Sequence, residues 1–206
     1  MKIDLSPVLE QVVGELTAFL RKANRPLRQA SLVTLNSILR THSDQVAPAT
    51  YSSMIEELSP LLSDVDLAMT GLALELCCTM LLNRDRHVDA GAAVRDSVLP
   101  KTLVLVKSPL LQGQALLTLQ RFYETLVGSA NVSFESLLQA LLSTAKDKTA
   151  PAGTVSKQAY YSTAQCAASL CLAAGPAKCA TTVEQLITNL GSGSGDAVSE
   201  PPTLVG

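Results

Sequence analysis

Two histidines, five cysteines and one closely spaced aspartate pair are the residues of this 206-residue chain with types suited to chemistry. Nucleophilic or acid–base catalysis needs a histidine within reach of a serine, cysteine or carboxylate. His42 and His87 instead fall in polar breaks between apolar segments, with no Gly-x-Ser-x-Gly elbow and no Cys-His signature beside them. Both read as loop residues, and no catalytic residue is assigned. A zinc site would place two thiolates at Cys-x-x-Cys spacing, which neither Cys77-Cys78 nor Cys166 with Cys171 provides. They read as thiols of the core, and no metal ligand is assigned. Asp64 and Asp66 could open a calcium loop, but Ala68 stands where a third oxygen ligand belongs and Met69 where the loop needs glycine. A turn whose second aspartate caps a helix fits them better. The run Gly191-Ser192-Gly193-Ser194-Gly195 follows no strand and precedes no Lys-Ser or Lys-Thr, so it reads as a linker and not as a phosphate cradle. No cofactor and no small-molecule substrate are expected, and the chain reads as non-enzymatic.

Charge excludes two further partner classes. Sixteen basic and 18 acidic side chains give a net charge of −2, which offers neither nucleic acid nor an anionic membrane an electrostatic reason to bind. Apolar stretches are broken by Lys, Arg, Glu or Gln well short of the roughly 18 residues of a membrane span. Met1-Lys2-Ile3-Asp4 leads straight into an amphipathic pattern with no leader-like apolar region. Five cysteines, an odd number and mostly inside apolar helical patterns, fit reduced thiols, hence a cytoplasmic or nuclear location. In such a compartment the sequon Asn131-Val132-Ser133 is a chance match.

The elements that carry these residues are helices throughout. Apolar residues make up 47% of the chain but aromatics only 3%, with no Trp, so Leu, Ala and Val must fill the interior, and Leu and Ala favour helix. Charged residues at 17% are fewer than the usual quarter, so each helix shows water only a narrow strip. Spacing such as Val13, Leu16, Leu20 and Leu32, Leu35, Leu39 is helical, and no period-two alternation is long enough for a strand. Tight turns are expected at Asn24-Arg25-Pro26, Asp64-Val65-Asp66, Lys107-Ser108-Pro109 and, expanded, at 146–156. Looser connections are expected near His42, at 83–89, at 128–133 and at Gly175-Pro176. Taking Pro26, Asp66, Pro109 and Ser156 as starts of second helices, the repeat falls within the ~40–47 residue period of HEAT and armadillo units. Pro26 and Pro109 are expected at the first helical position. Pro60 and Pro100 are expected to kink first helices, as HEAT units do.

The predicted architecture is an all-α HEAT-repeat α-solenoid, a right-handed armadillo-like superhelix of about four and a half helical hairpins. Residues 1–190 form the solenoid, with pairs at 5–41, 45–83, 90–128 and 133–174 and a lone helix at 177–190; residues 191–206 form a flexible non-helical tail. A repeat buries its apolar face only against neighbours. Val8, Leu9, Val12 and Val13 at one end and Val183, Leu186 and Ile187 at the other therefore imply neighbouring HEAT repeats of a longer parent chain.

Three stretches carry a specific likeness: Phe19 to Ala30, Lys107 to Leu116 with its Ser108-Pro109-Leu110-Leu111-Gln112-Gly113 run, and Lys157 to Cys166. They resemble the middle HEAT repeats of the cullin-associated, neddylation-dissociated proteins, and Gly71 to Cys78 is similar to a plant member. The resemblance covers residues 5 to about 190. It implies a non-enzymatic clamp that wraps an unneddylated cullin–RING scaffold and promotes exchange of substrate-receptor modules in ubiquitin ligase (SCF) assembly. In that family helical repeats continue where this chain turns to Gly and Ser after Leu190. A transport or cargo adaptor of importin or adaptin type is the alternative; inner-face Trp would mark an importin, and Trp is absent.

One cluster of charge remains. Arg21, Lys22, Arg25 and Arg28 gather at the first intra-repeat turn, and Lys107 and Lys157 recur near equivalent turns. Stacked turns form a ridge, so these six cations are the candidate partner-binding residues, against the alternative of solvated cations favoured by helix C-termini.

Overall fold

A computed structural model describes residues 4–22, 24–83, 88–128, 132–145 and 157–192, with side chains placed except at 88–89, 145 and 185–192. Among the described residues every regular element is helical. The helices are α1 (Ser6–Lys22), α2 (Arg25–His42), α3 (Pro48–Leu58), α4 (Leu67–Leu82), α5 (Val88–Ala93), α6 (Leu99–Leu105), α7 (Gly113–Val127), α8 (Phe134–Ala145), α9 (Lys157–Ala174) and α10 (Pro176–Ser192).

Local chemistry sets where each return helix begins. Asn24 has extended backbone, and its side-chain oxygen accepts the Leu27 N–H at 3.1 Å, one of the donors that lack an intrahelical partner. Pro26 is the second residue of α2, one later than expected, where its missing N–H still costs nothing. Asp66 caps α4 as its type suggested, accepting from Met69 N–H at 3.1 Å. Pro109 departs from expectation. It sits second in the turn Ser108–Leu111, closed by the Leu111 N–H donating to the Ser108 carbonyl at 3.3 Å, and α7 starts only at Gly113. Gly113 has φ +59°, a left-handed conformation that glycine adopts without steric cost. Ser156 lies outside the described residues.

Both inner prolines disturb first helices. Pro60 lies in a 3₁₀ turn, Ser59–Leu61, that terminates α3. Pro100 is the second residue of α6, directly after a π-helical turn, Val94–Val98, that joins α5 and α6 into one rod. Lacking an N–H, Pro100 cannot satisfy the carbonyl four residues back, and the widened turn absorbs that misfit. The Ser97 carbonyl in this turn accepts from Ser59 Oγ at 2.9 Å, which pins the two first helices together.

Two layers result. Return helices stack α2 on α4, α4 on α7 and α7 on α9, while α1 packs on α3, α3 on α5 and the π turn, and α6 on α8. One continuous hydrophobic cluster runs from Val13 to Cys171. This is a HEAT-like α-solenoid, and α4 shows why so few charges suffice. Flanked by α2 and α7 with first helices behind it, α4 buries Leu74, Leu76, Cys77 and Met80 completely, each large apolar side chain contributing about 1.5–3 kcal/mol of transfer free energy. The buried Thr70 hydroxyl donates to the Ser63 carbonyl at 2.7 Å and accepts the Ser63 N–H at 3.0 Å, closing the turn between α3 and α4. Helix α10 continues through Gly191 and Ser192, two residues beyond the expected end; residues 193–206 lie outside the described residues.

Candidate partner-binding surface

The turn ridge alternates in sign. Arg21 and Lys22 end α1, Arg25 and Arg28 begin α2, Lys107 follows α6 and Lys157 opens α9, but the second turn is acidic. Its Asp66 accepts from Arg25 Nη2 at 3.0 Å and from Arg25 Nε, and Arg21 Nη2 lies 2.7 Å from Glu57 on α3. Paired with Arg25 and with the Met69 N–H, the Asp66 carboxyl is held below its usual range. The same turn reaches the other way, where Asp64 accepts from Ser108 Oγ at 2.7 Å. Further along, the Leu111 carbonyl accepts from Gln158 Nε2 at 2.7 Å and Ser162 Oγ at 3.3 Å. These contacts join each repeat to the next. Arg21 and Arg25 are therefore engaged within the solenoid. Lys22, Lys107 and Lys157 are exposed and Arg28 is half-buried, and the acidic second turn separates the two ends of the ridge.

The outward face of the return helices forms a second surface that sequence reasoning did not single out. Asn36 on α2 donates to Glu75 on α4 at 3.2 Å and accepts from Thr79 Oγ1 at 2.6 Å, and Asn83 Nδ2 donates to the Leu39 carbonyl at 3.2 Å. Further on, Ser169 Oγ on α9 donates to Gln120 Oε1 on α7 at 3.4 Å. Across α2, α4 and α7 this face is furrowed by two shallow clefts that share Glu75. One, of about 440 Å³, is lined by Gln29, Leu72, Gln114 and Thr118; the other, of about 190 Å³, by Arg40, Cys78, Thr79, Leu82, Asn83 and Arg121. Polar residues seven and four apart on one face of α2 (Gln29, Asn36, Arg40) were the available signal, masked by the chain's strong apolar pattern.

The residues first weighed for catalysis are not assembled. His42 is half-buried at the end of α2, and His87 lies outside the described residues. Burial pushes the Cys77 thiol far up, Cys78 to about 11 and Cys166 to about 12, which leaves them protonated core groups. Among the described residues no three His, Cys, Asp or Glu side chains are grouped to hold a metal, and no helix is long and apolar enough to cross a membrane. Asn131 of the sequon lies outside the described residues.

No family model matches the chain. Over 195 residues it is 52% identical to "Cullin-associated NEDD8-dissociated protein 1" of Arabidopsis thaliana, covering 95% of this chain and 16% of that protein. The protein of the same description from Dictyostelium discoideum is 34% identical over 207 residues, covering 100% of this chain and 16% of its own length. "Cullin-associated NEDD8-dissociated protein 2" of Rattus norvegicus is 30% identical over 190 residues, covering 91% of this chain and 15% of its own. The chain thus spans about a sixth of the length of the curated relatives it matches.

Proposed function

Because the chain belongs to the cullin-associated NEDD8-dissociated protein family, we propose that it is a non-enzymatic section of a cullin-binding solenoid. The observation that carries this reading is the 52% identity to the plant relative over 95% of the chain. In this reading the parent protein holds an unneddylated cullin–RING scaffold, promotes exchange of substrate-receptor modules on it, and works in the cytoplasm, the nucleus or both.

The role assigned to this section is to set spacing and curvature between the parts of the clamp on either side. Exposed apolar residues support it. Val8, Val12 and Phe19 on α1, and Tyr160 on α9 with Val183 on α10, are faces on which further repeats would stack. The inter-repeat pairs Arg25–Asp66, Ser108–Asp64 and Gln158–Leu111 suit a section that must hold its pitch under load. The lysines and arginines of the turn ridge are a secondary contact in this reading, with the exposed Lys22 and Lys157 offering charge to an acidic partner surface.

The test is co-purification of this chain, and of a protein of the relatives' full length that contains it, with an unmodified cullin–RING pair and with the same pair conjugated to Nedd8. The full-length protein is expected to retain the unmodified pair and not the conjugated one. Failure of both proteins to retain the unmodified pair would remove the cullin assignment and leave the fold untouched.

A further inference from the structure

The smaller cleft on the return-helix face is lined by two cations and a single carboxylate, Glu75, so its lining is net positive. Arg40 reaches it from α2 and Arg121 from α7, both exposed, and neither has a hydrogen-bond or ion-pair partner among the described residues. The acidic group between them, Glu75, already accepts from Asn36. At the cleft floor the Arg121 charge opposes the upward push of burial on the Cys78 thiol, and the Glu75 and Glu124 carboxylates add to that push. Apolar surface lies alongside: Leu82 lines the cleft and is 65% exposed, and Leu117, one helical turn before Arg121, is 57% exposed. Arginine beside exposed leucine is the composition enriched at protein–protein contacts, and a planar guanidinium suits a carboxylate.

We propose that this face, across α2, α4 and α7, docks an acidic segment of a protein partner. An Asp or Glu side chain of that segment enters the cleft between Arg40 and Arg121, and apolar neighbours rest on Leu82 and Leu117. Charge complementarity selects this occupant, because a basic segment would meet two guanidiniums set against one carboxylate and an apolar one would strip the guanidiniums of water without supplying a partner. The naming of the cullin–RING scaffold as the source of the segment rests on the function proposed above; the cleft itself does not.

The test has two arms. In the first, a fluorescein-labelled peptide of Glu-Leu pairs separated by glycine is titrated with the chain and compared with its Gln-Leu counterpart. The acidic peptide is expected to bind more tightly, to weaken about tenfold with R40Q/R121Q, and to weaken as ionic strength rises. R95Q, on the first-helix layer, leaves binding unchanged, and R40Q/R121Q keeps the wild-type melting curve because neither arginine side chain has a described hydrogen bond or ion pair to lose. Equal binding of the two peptides, or of wild type and R40Q/R121Q, overturns the cleft. In the second arm the same variants enter the association assay with the unmodified cullin–RING pair. Loss with R40Q/R121Q and not with R95Q assigns the acidic segment to that partner; unchanged association overturns that assignment. If the wild-type protein does not associate, the cullin reading fails while the peptide arm still judges the cleft.

Discussion

Removing the Asp66 carboxylate separates the two tasks it performs. One oxygen caps α4 through the Met69 N–H, and both receive Arg25 from the preceding repeat. Asp66→Ala loses both tasks. A lost N-cap costs about 1 kcal/mol, and a partly exposed pair adds up to about 1 kcal/mol. The Asp66 side chain is 29% exposed and that of Arg25 56%, so the pair belongs at the lower end of that range. The expected total is about 1.5 kcal/mol, a fall in melting temperature of roughly 3–6 °C for a chain of this size. Asp66→Asn keeps a capping oxygen and loses the charge, so less than half of that cost is expected; Arg25→Gln costs less again. Urea denaturation of wild type, the three single variants and Arg25→Gln/Asp66→Asn completes a double-mutant cycle that isolates the pair. A pH series adds a signed check. The folded Asp66 value lies below the unfolded one, so its stabilisation is fully present above the unfolded carboxylate value near ~3.9 and is lost as pH falls through the lower folded value. Wild type and Asp66→Asn should therefore converge only in strong acid. The reasoning fails if Asp66→Asn is as damaging as Asp66→Ala, since the cap would then not be the larger share. It fails equally if the cycle shows no coupling.

Two further predictions rest on single features. Gly113→Ala should cost about 1 kcal/mol by thermal melt although no heavy atom lies within 4 Å of the added Cβ, because the whole penalty is the φ of +59°; Gly113→Asn should cost less, and equal stability of the alanine variant would show that the turn relaxes. In native-state thiol labelling at mildly alkaline pH, the half-buried Cys179 should react first, while Cys78, pushed up to about 11, and Cys166, pushed up to about 12, stay unreactive until urea exposes them; equal labelling rates for Cys78 and Cys179 would contradict the burial assigned to α4.

How much was legible depends on whether a residue's meaning is local. Leu32, Leu35 and Leu39 declare a buried stripe within their own helix, and Asp66 declares a cap within one turn, so helices, spine and cap could be read directly. Pro109 could not, because proline suits both the first position of a helix and the second of a turn. The glycine at 113, needed for a left-handed backbone, was the residue that distinguished them. Arg25 was ambiguous for a different reason. Its partner lies 41 residues on, and Asn36–Glu75, Asp64–Ser108 and Leu39–Asn83 are separated by 39, 44 and 44. In a solenoid the neighbour across an interface sits about one period away, so a cation with a carboxylate at that distance is a staple. The same rule picks out Arg121. One period on, Ala167-Ala168-Ser169-Leu170 holds no carboxylate, and the carboxylate a period back, Glu75, lines a cleft that it shares with Arg40 as well. Two arginines about one carboxylate leave positive charge for a partner, which is why the cleft beside Arg121, and not the ridge at Arg25, is where binding should respond to charge.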